Sequence, residues 1–172
     1  MKNGFTLIEL IITISIIGIM SAIIVPQYTK YRDSKSLFLG AEQVVSDIRM
    51  VQNYSYSILK DNGSFPVGGY GINFSKDSNI YTIFSDKDGD MEYDSSSENF
   101  KEIKLPEGVK IISLKVNGSD NLDVDLVFTP PYGKVFINKE NKESGNFINL
   151  EIVVSNNSGS KAVNMSSSRL VN

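Results

Sequence analysis

Residues 5–25 read FTLIELIITISIIGIMSAIIV, 21 residues with a single charge, and no other stretch constrains the fold as tightly. As a helix rising about 1.5 Å per residue, this run covers about 30 Å, the thickness of a bilayer core. It exceeds the hydrophobic part of a secretory signal, about 7–15 residues. The following Ile24-Val25-Pro26-Gln27-Tyr28 offers no small-x-small cleavage site. The segment therefore reads as a retained membrane helix, with a cleaved secretory signal as the lesser alternative.

Glu9 is the charge in that run. An ionised carboxylate in hydrocarbon costs about 2.5 kcal/mol or more, so it needs a partner or a proton. No Lys or Arg lies within residues 5–25, so the partner is expected from elsewhere. A cut between Gly4 and Phe5 would create an amino group one helical turn away, which in a staggered bundle could face Glu9 of a neighbour. A Glu9 that snorkels to the interface or stays protonated is the other reading. Gly18 and Ala22 form a small-xxx-small pair with Ser21 beside it, which permits close helix approach. Pro26 removes one helical hydrogen bond, so a kink or boundary is expected there.

Gly4-Phe5-Thr6-Leu7-Ile8-Glu9-Leu10, followed by the apolar run and Pro26, resembles the start of type IV pilins and type II secretion pseudopilins. The resemblance implies that residues 1–4, MKNG, are a leader removed by a prepilin peptidase after Gly4. It also implies N-methylation of Phe5 and pairing of Glu9 with a neighbour's N-terminus. Gly18 and Pro26 match positions where helices of this family loosen on assembly. The implied partners are other pilins or pseudopilins, the peptidase, membrane lipid before assembly and an inner-membrane assembly platform. The implied location is a bacterial inner membrane crossed once, with the globular domain outside the cytoplasm.

Composition narrows the alternatives. With Lys+Arg 17 against Asp+Glu 20 the net charge is -3, a poor footprint for a phosphate backbone. There is no Cys and no His, which removes disulfides, thiolate nucleophiles, Ser/His/Asp triads and the commonest metal ligand. The chain also lacks G-x-x-x-x-G-K, G-x-S-x-G and H-E-x-x-H, so no enzyme reading has residues to stand on.

Residues 27–60 contain no Pro, and Leu37, Ala41, Val44, Ile48, Val51 and Ile58 recur at helical spacing, which predicts an amphipathic continuation of the helix. Lys35, Glu42, Asp47, Arg49 and Asn53 mark its expected solvent side. Asp61-Asn62-Gly63 supplies a stop. Beyond Gly68 the pattern predicts strands at 70–74, 80–85, 109–116, 122–128, 134–138 and 147–154, with a further short one at 162–165. Turns are expected at Asn117-Gly118, at Pro130-Pro131-Tyr132-Gly133 and at Glu143-Ser144-Gly145-Asn146. The resulting division is leader 1–4, membrane helix 5–26, amphipathic half 27–62 and β-rich domain 63–172. This is an α+β fold in which a long helix closes one face of an antiparallel sheet, the architecture the pilin resemblance implies. The stretch from Ser46 to Asn53, with Tyr70-Gly71-Ile72 and the strand at 81–84, is similar to H-type minor pseudopilins.

One motif in the β-rich part has metal chemistry. Asp86, Asp88, Asp90 and Asp94 fall at positions one, three, five and nine of a Ca2+ loop. Gly89 stands at four rather than six, however, and Ser97 occupies the place of a bidentate Glu. Asp and Gly are good turn formers, so an acidic hairpin loop without metal is the plainer reading and Ca2+ the cofactor it would otherwise take. For function, a structural filament subunit leads. A minor pilin that binds DNA or surfaces is the alternative, and a membrane-anchored Ca2+ sensor or enzyme comes last.

Overall fold

The computed structural model describes residues 4–57, 59–61, 63–94, 96–131, 134–139 and 148–166. Helix α1, Leu7–Tyr56, begins at the N-cap Thr6 and extends for 50 residues, about 75 Å at the rise of an α-helix. Its first half projects free. Its buried residues begin at Leu37 and continue through Gly40, Ala41, Val44, Ile48 and Val51, the stripe expected from the spacing. Ile58 lies outside the described residues.

Two expectations about this helix need correction. It runs unbroken through Pro26, so no boundary falls there. Pro26 withholds one N–H from the Ala22 carbonyl, but the bonds on either side keep the ladder going. The helix also stops before Asp61-Asn62-Gly63. Ser57 caps it, donating from its backbone N–H to the Asn53 carbonyl at 2.9 Å and from its hydroxyl to the same oxygen at 2.7 Å. A serine hydroxyl that competes for the last carbonyls favours an early end. Asp61 and Ser64 then close a tight turn through paired backbone bonds of 2.9 and 3.0 Å.

The strands are β1 Gly69–Ser75, β2 Ile80–Asp86, β3 Asn99–Lys104, β4 Lys110–Val116, β5 Ser119–Asn121, β6 Asp123–Thr129, β7 Lys134–Ile137, β8 Asn149–Asn156 and β9 Gly159–Ser166. They form two antiparallel sheets instead of the single sheet expected, ordered β3-β2-β1-β6-β7 and β5-β4-β8-β9. The lower half of α1 packs against β1 and β6 of one sheet and β8 and β9 of the other, so one helical stripe seals both. The architecture is α+β, as a pilin fold requires.

Asn117 and Gly118, with φ of 52° and 83°, make a two-residue turn between β4 and β5, the geometry that favours this dipeptide in hairpins. The expected strand at 122–128 begins one residue later, because Leu122 is exposed and links the two sheets. Strand β9 is longer than expected, and the patch at 156–160 forms its hairpin with β8. Phe147, Tyr132, Gly133 and the 143–146 turn fall outside the described residues.

Strand β3 was not anticipated, since its apolar residues Phe100 and Ile103 are three apart. The register between β2 and β3 jumps from Ile83↔Lys101 to Phe84↔Asn99, which leaves Phe100 as an extra residue. Such a bulge shifts the alternation, and both Phe100 and Ile103 pack against the core. Phe100 meets Tyr54 of α1 and Tyr70 of β1 edge-on, with ring centroids 5.9 and 5.5 Å away. Asp47, expected on the solvent face of α1, instead accepts a hydrogen bond from the Tyr81 hydroxyl. Gln43, one turn earlier, donates to the Lys104 carbonyl at 3.1 Å, which ties α1 to the end of β3.

Candidate functional site

The exposed half of α1 is the largest departure from ordinary surface. Phe5 is 84% exposed, and Leu7, Ile8, Leu10, Ile16, Ile17, Ile19, Met20, Ile23 and Ile24 are each more than half exposed. The helix is long and apolar enough to cross a membrane. Residues 7–32 project about 39 Å before the domain takes hold. The hold is visible at Asn156, whose amide donates to the Asp33 carbonyl at 2.5 Å and to the Ser36 hydroxyl at 3.2 Å. Just below, Lys35 and Lys161 both lie over the Phe38 ring.

Within the apolar run every polar side chain is hydrogen-bonded inside its own helix. Thr13 donates to the Leu10 carbonyl, Ser15 to Ile11 and Ser21 to Ile17, at 2.7–2.8 Å. Hydroxyls satisfied in this way can enter hydrocarbon without an orphan donor. Glu9 is handled the same way. Its Oε2 accepts from the Thr6 backbone N–H at 2.9 Å and from the Thr6 hydroxyl at 2.7 Å, while the Glu9 N–H points to Thr6 Oγ1 at 3.4 Å. The expectation that its partner must come from elsewhere is corrected to that extent. The carboxylate has local dipoles but no cation partner among the described residues. Thr6-x-x-Glu9 is a capping-box signature, and that pattern could have been read from the sequence.

Gly4 lies outside the helix, and a side chain built on it would meet nothing within 4 Å. Phe5 is equally open. Gly18 and Ala22 sit on the projecting part, and Gly18 likewise faces empty space. Among the described residues, a single chain brings none of these together with a partner.

The acidic loop is built differently from the expected Ca2+ loop. Asp86, at the end of β2, is fully buried, and its two oxygens accept from Gly89 N–H at 2.7 Å and Met91 N–H at 3.0 Å. The Asp88 carboxylate accepts from Asp90 N–H at 3.1 Å. Asp90 turns to Lys139 at 3.1 Å, and Asp94 is exposed. The residue that joins Asp86 and Asp88 is Glu98, buried and placed by the pairing that leads into β3, where its carbonyl accepts from Ser85 N–H at 2.9 Å. Sequence reading missed Glu98 because it missed β3. Burial holds both Asp86 and Glu98 above the usual carboxylate range, opposed by their backbone hydrogen bonds and reinforced by the neighbouring carboxylates.

Residues 1–25 match the family described as Prokaryotic N-terminal methylation motif. The chain carries a prepilin signature. It spans 25 of 172 residues and coincides with the projecting, apolar part of α1. No curated protein and no solved structure matches the chain. The motif thus lies on a chain whose long N-terminal helix is packed on antiparallel sheets. Its motif is a processing and assembly signature, not that of an enzyme family. Assembly into filaments and processing by a prepilin peptidase are the general properties such a motif implies.

Proposed function

We propose that this chain is a structural subunit of a type IV pilus or type II secretion filament. It would be made as an inner-membrane precursor, cut between Gly4 and Phe5, methylated on Phe5 and drawn sideways from the bilayer into a helical bundle. The observation that carries this reading is the coincidence of the methylation motif with an apolar helix face exposed over its whole length. In lipid that face meets acyl chains. In a filament it would meet copies of itself or related chains, with Gly18 and Ala22 allowing close approach.

The capping box adds a step to the mechanism. Thr6 N–H belongs to the Phe5–Thr6 peptide, so cleavage after Gly4 leaves the Thr6–Glu9 bonds chemically intact. The new Phe5 amino group would appear beside a carboxylate already turned toward the helix N-terminus. A neighbour's amino group can then compete with the chain's own for the same carboxylate, so that in the bundle Glu9 can pair between chains. Partners under this reading are other pilins or pseudopilins and an inner-membrane assembly platform.

Intact-mass analysis of the protein from membranes, with and without the cognate prepilin peptidase, tests this reading. A chain starting at methylated Phe5 only when the peptidase is present supports it. A chain starting at Met1 in both strains would sink it.

A further inference from the structure

We propose that Asp86, Asp88 and Glu98 form a Ca2+ site at the closed end of the β2–β3 hairpin. One carboxylate oxygen from each residue lies within 4.8 Å of the others. Ca2+ takes its oxygens at about 2.3–2.6 Å, so ligands of one ion lie within about 5 Å of each other. Acidic clusters are common on surfaces, but this one has a second feature. Glu98 is only 3% accessible, and its Oε2 is buried without a hydrogen-bond partner. The other oxygen of that carboxylate is held by Lys87 N–H at 3.1 Å, so the carboxylate that carries the orphan is fixed in place in the cluster with Asp86 and Asp88. A buried, unpaired carboxylate oxygen costs stability unless something meets it.

No basic side chain among the described residues does so. Lys87, between the two aspartates in sequence, turns its ammonium to Asp61 at 3.0 Å and to the Ser97 carbonyl at 2.5 Å. Lys139 is held by Asp90 and Glu92. Asp88 is exposed, so water can enter from its side and complete the six to eight oxygens Ca2+ prefers. Gly68 and Gly89 keep the loop in shape. A side chain on Gly68 would sit 1.7 Å from Asp86 Oδ2, and Gly89 holds a φ of 83°. This ligand set differs from Asp86, Asp88, Asp90 and Asp94 of the sequence pattern, and it stands independently of the filament reading.

The test is CaCl2 titration of the chelator-treated full chain in detergent, read by thermal unfolding and by calorimetry, with MgCl2 in parallel. Saturable Ca2+ binding with a rise in Tm is expected, in the range of about 0.1–1 mM typical of extracellular Ca2+ modules. Asp88→Asn, which keeps the acceptor for Asp90 N–H, and Glu98→Gln should both lose the response, while Asp94→Asn keeps it. If Glu98→Gln fails to fold, the exposed Asp88→Asn decides. The proposal is overturned by no saturable Ca2+ response in the wild type, by an equal response to Mg2+, or by Asp88→Asn retaining the response.

Discussion

Thr6 and Glu9 hold each other across the first turn of α1, the threonine hydroxyl donating to the carboxylate at 2.7 Å and the threonine N–H at 2.9 Å. Removing an N-cap hydroxyl typically costs about 1 kcal/mol of helix stability. Thr6→Ala should therefore fray the start of the helix, seen as faster amide exchange over residues 7–10 in micelles. Thr6→Ser should exchange like the wild type, because it keeps the hydroxyl.

Glu9→Gln separates capping from charge. Glutamine at this position can still reach back to the Thr6 N–H, so the first turn should keep its exchange protection. The charge that would attract a neighbour's amino group is gone. Filament yield should fall sharply while peptidase processing and helix content stay unchanged. Normal filament yield from Glu9→Gln would mean that the carboxylate acts only as a cap.

The stripe from Leu37 to Val51 and the apolar run were legible in the sequence because each repeats one period over many residues. Strand β3 was not, because the bulge at Phe100 hides its alternation. Glu98 was invisible for the same reason, since only the β2–β3 pairing brings it to Asp86. Asp47 was misread as solvated because charge on a helix face does not reveal that Tyr81 of β2 reaches it. The split into two sheets falls at the exposed Leu122 between β5 and β6, and it shows only in which strands pair, β5 with β4 and β6 with β1, not in any local pattern.

Ser55 is a single hydroxyl serving two strands. It donates to the Phe128 carbonyl at 2.5 Å and accepts from the Tyr70 N–H at 3.1 Å, all in the buried interior. Ser55→Ala leaves both groups without that partner, and each unsatisfied buried group costs about 1–3 kcal/mol. A loss of about 2 kcal/mol or more is expected by denaturant unfolding of the full chain. A change within about 0.5 kcal/mol, the usual range for surface sites, would contradict this role.

Two aspartates should tilt stability with pH in opposite directions. Burial lifts the Asp125 pKa above its ordinary value, against its bonds from Asn73 and Tyr93 N–H, and the Glu92 and Asp123 charges lift it further. Its contribution is thus fully present below the ordinary Asp value and is lost as pH rises through its raised pKa. Asp61 is lowered by the Ser85 hydroxyl and by Lys87, so its contribution is present above the ordinary value and lost as pH falls through its lowered pKa. Melting from about pH 2 to pH 7 should show the Tm of Asp125→Asn gaining on the wild type as pH rises and that of Asp61→Asn losing ground. Parallel slopes would contradict the assignment.

Gly71 lies where β1 passes beneath the Phe84 ring. A Cβ there would come within 2.4 Å of Phe84 Cζ and 3.1 Å of the Leu126 carbonyl oxygen. The ring tip is the movable side of that contact, but Phe84 is fully buried and packs against Tyr93 with centroids 5.4 Å apart, so it has little room to yield. Overpacking of this kind costs about 1–3 kcal/mol. Gly71→Ala should be destabilised to that extent, and Phe84→Leu, which removes the ring tip, should make the same alanine cheaper. In a double-mutant cycle the two changes should therefore couple favourably by more than the roughly 0.5 kcal/mol expected of independent sites. Additive losses would show that the strain of Gly71→Ala falls on the backbone at Leu126, since shortening Phe84 cannot relieve a clash with a carbonyl.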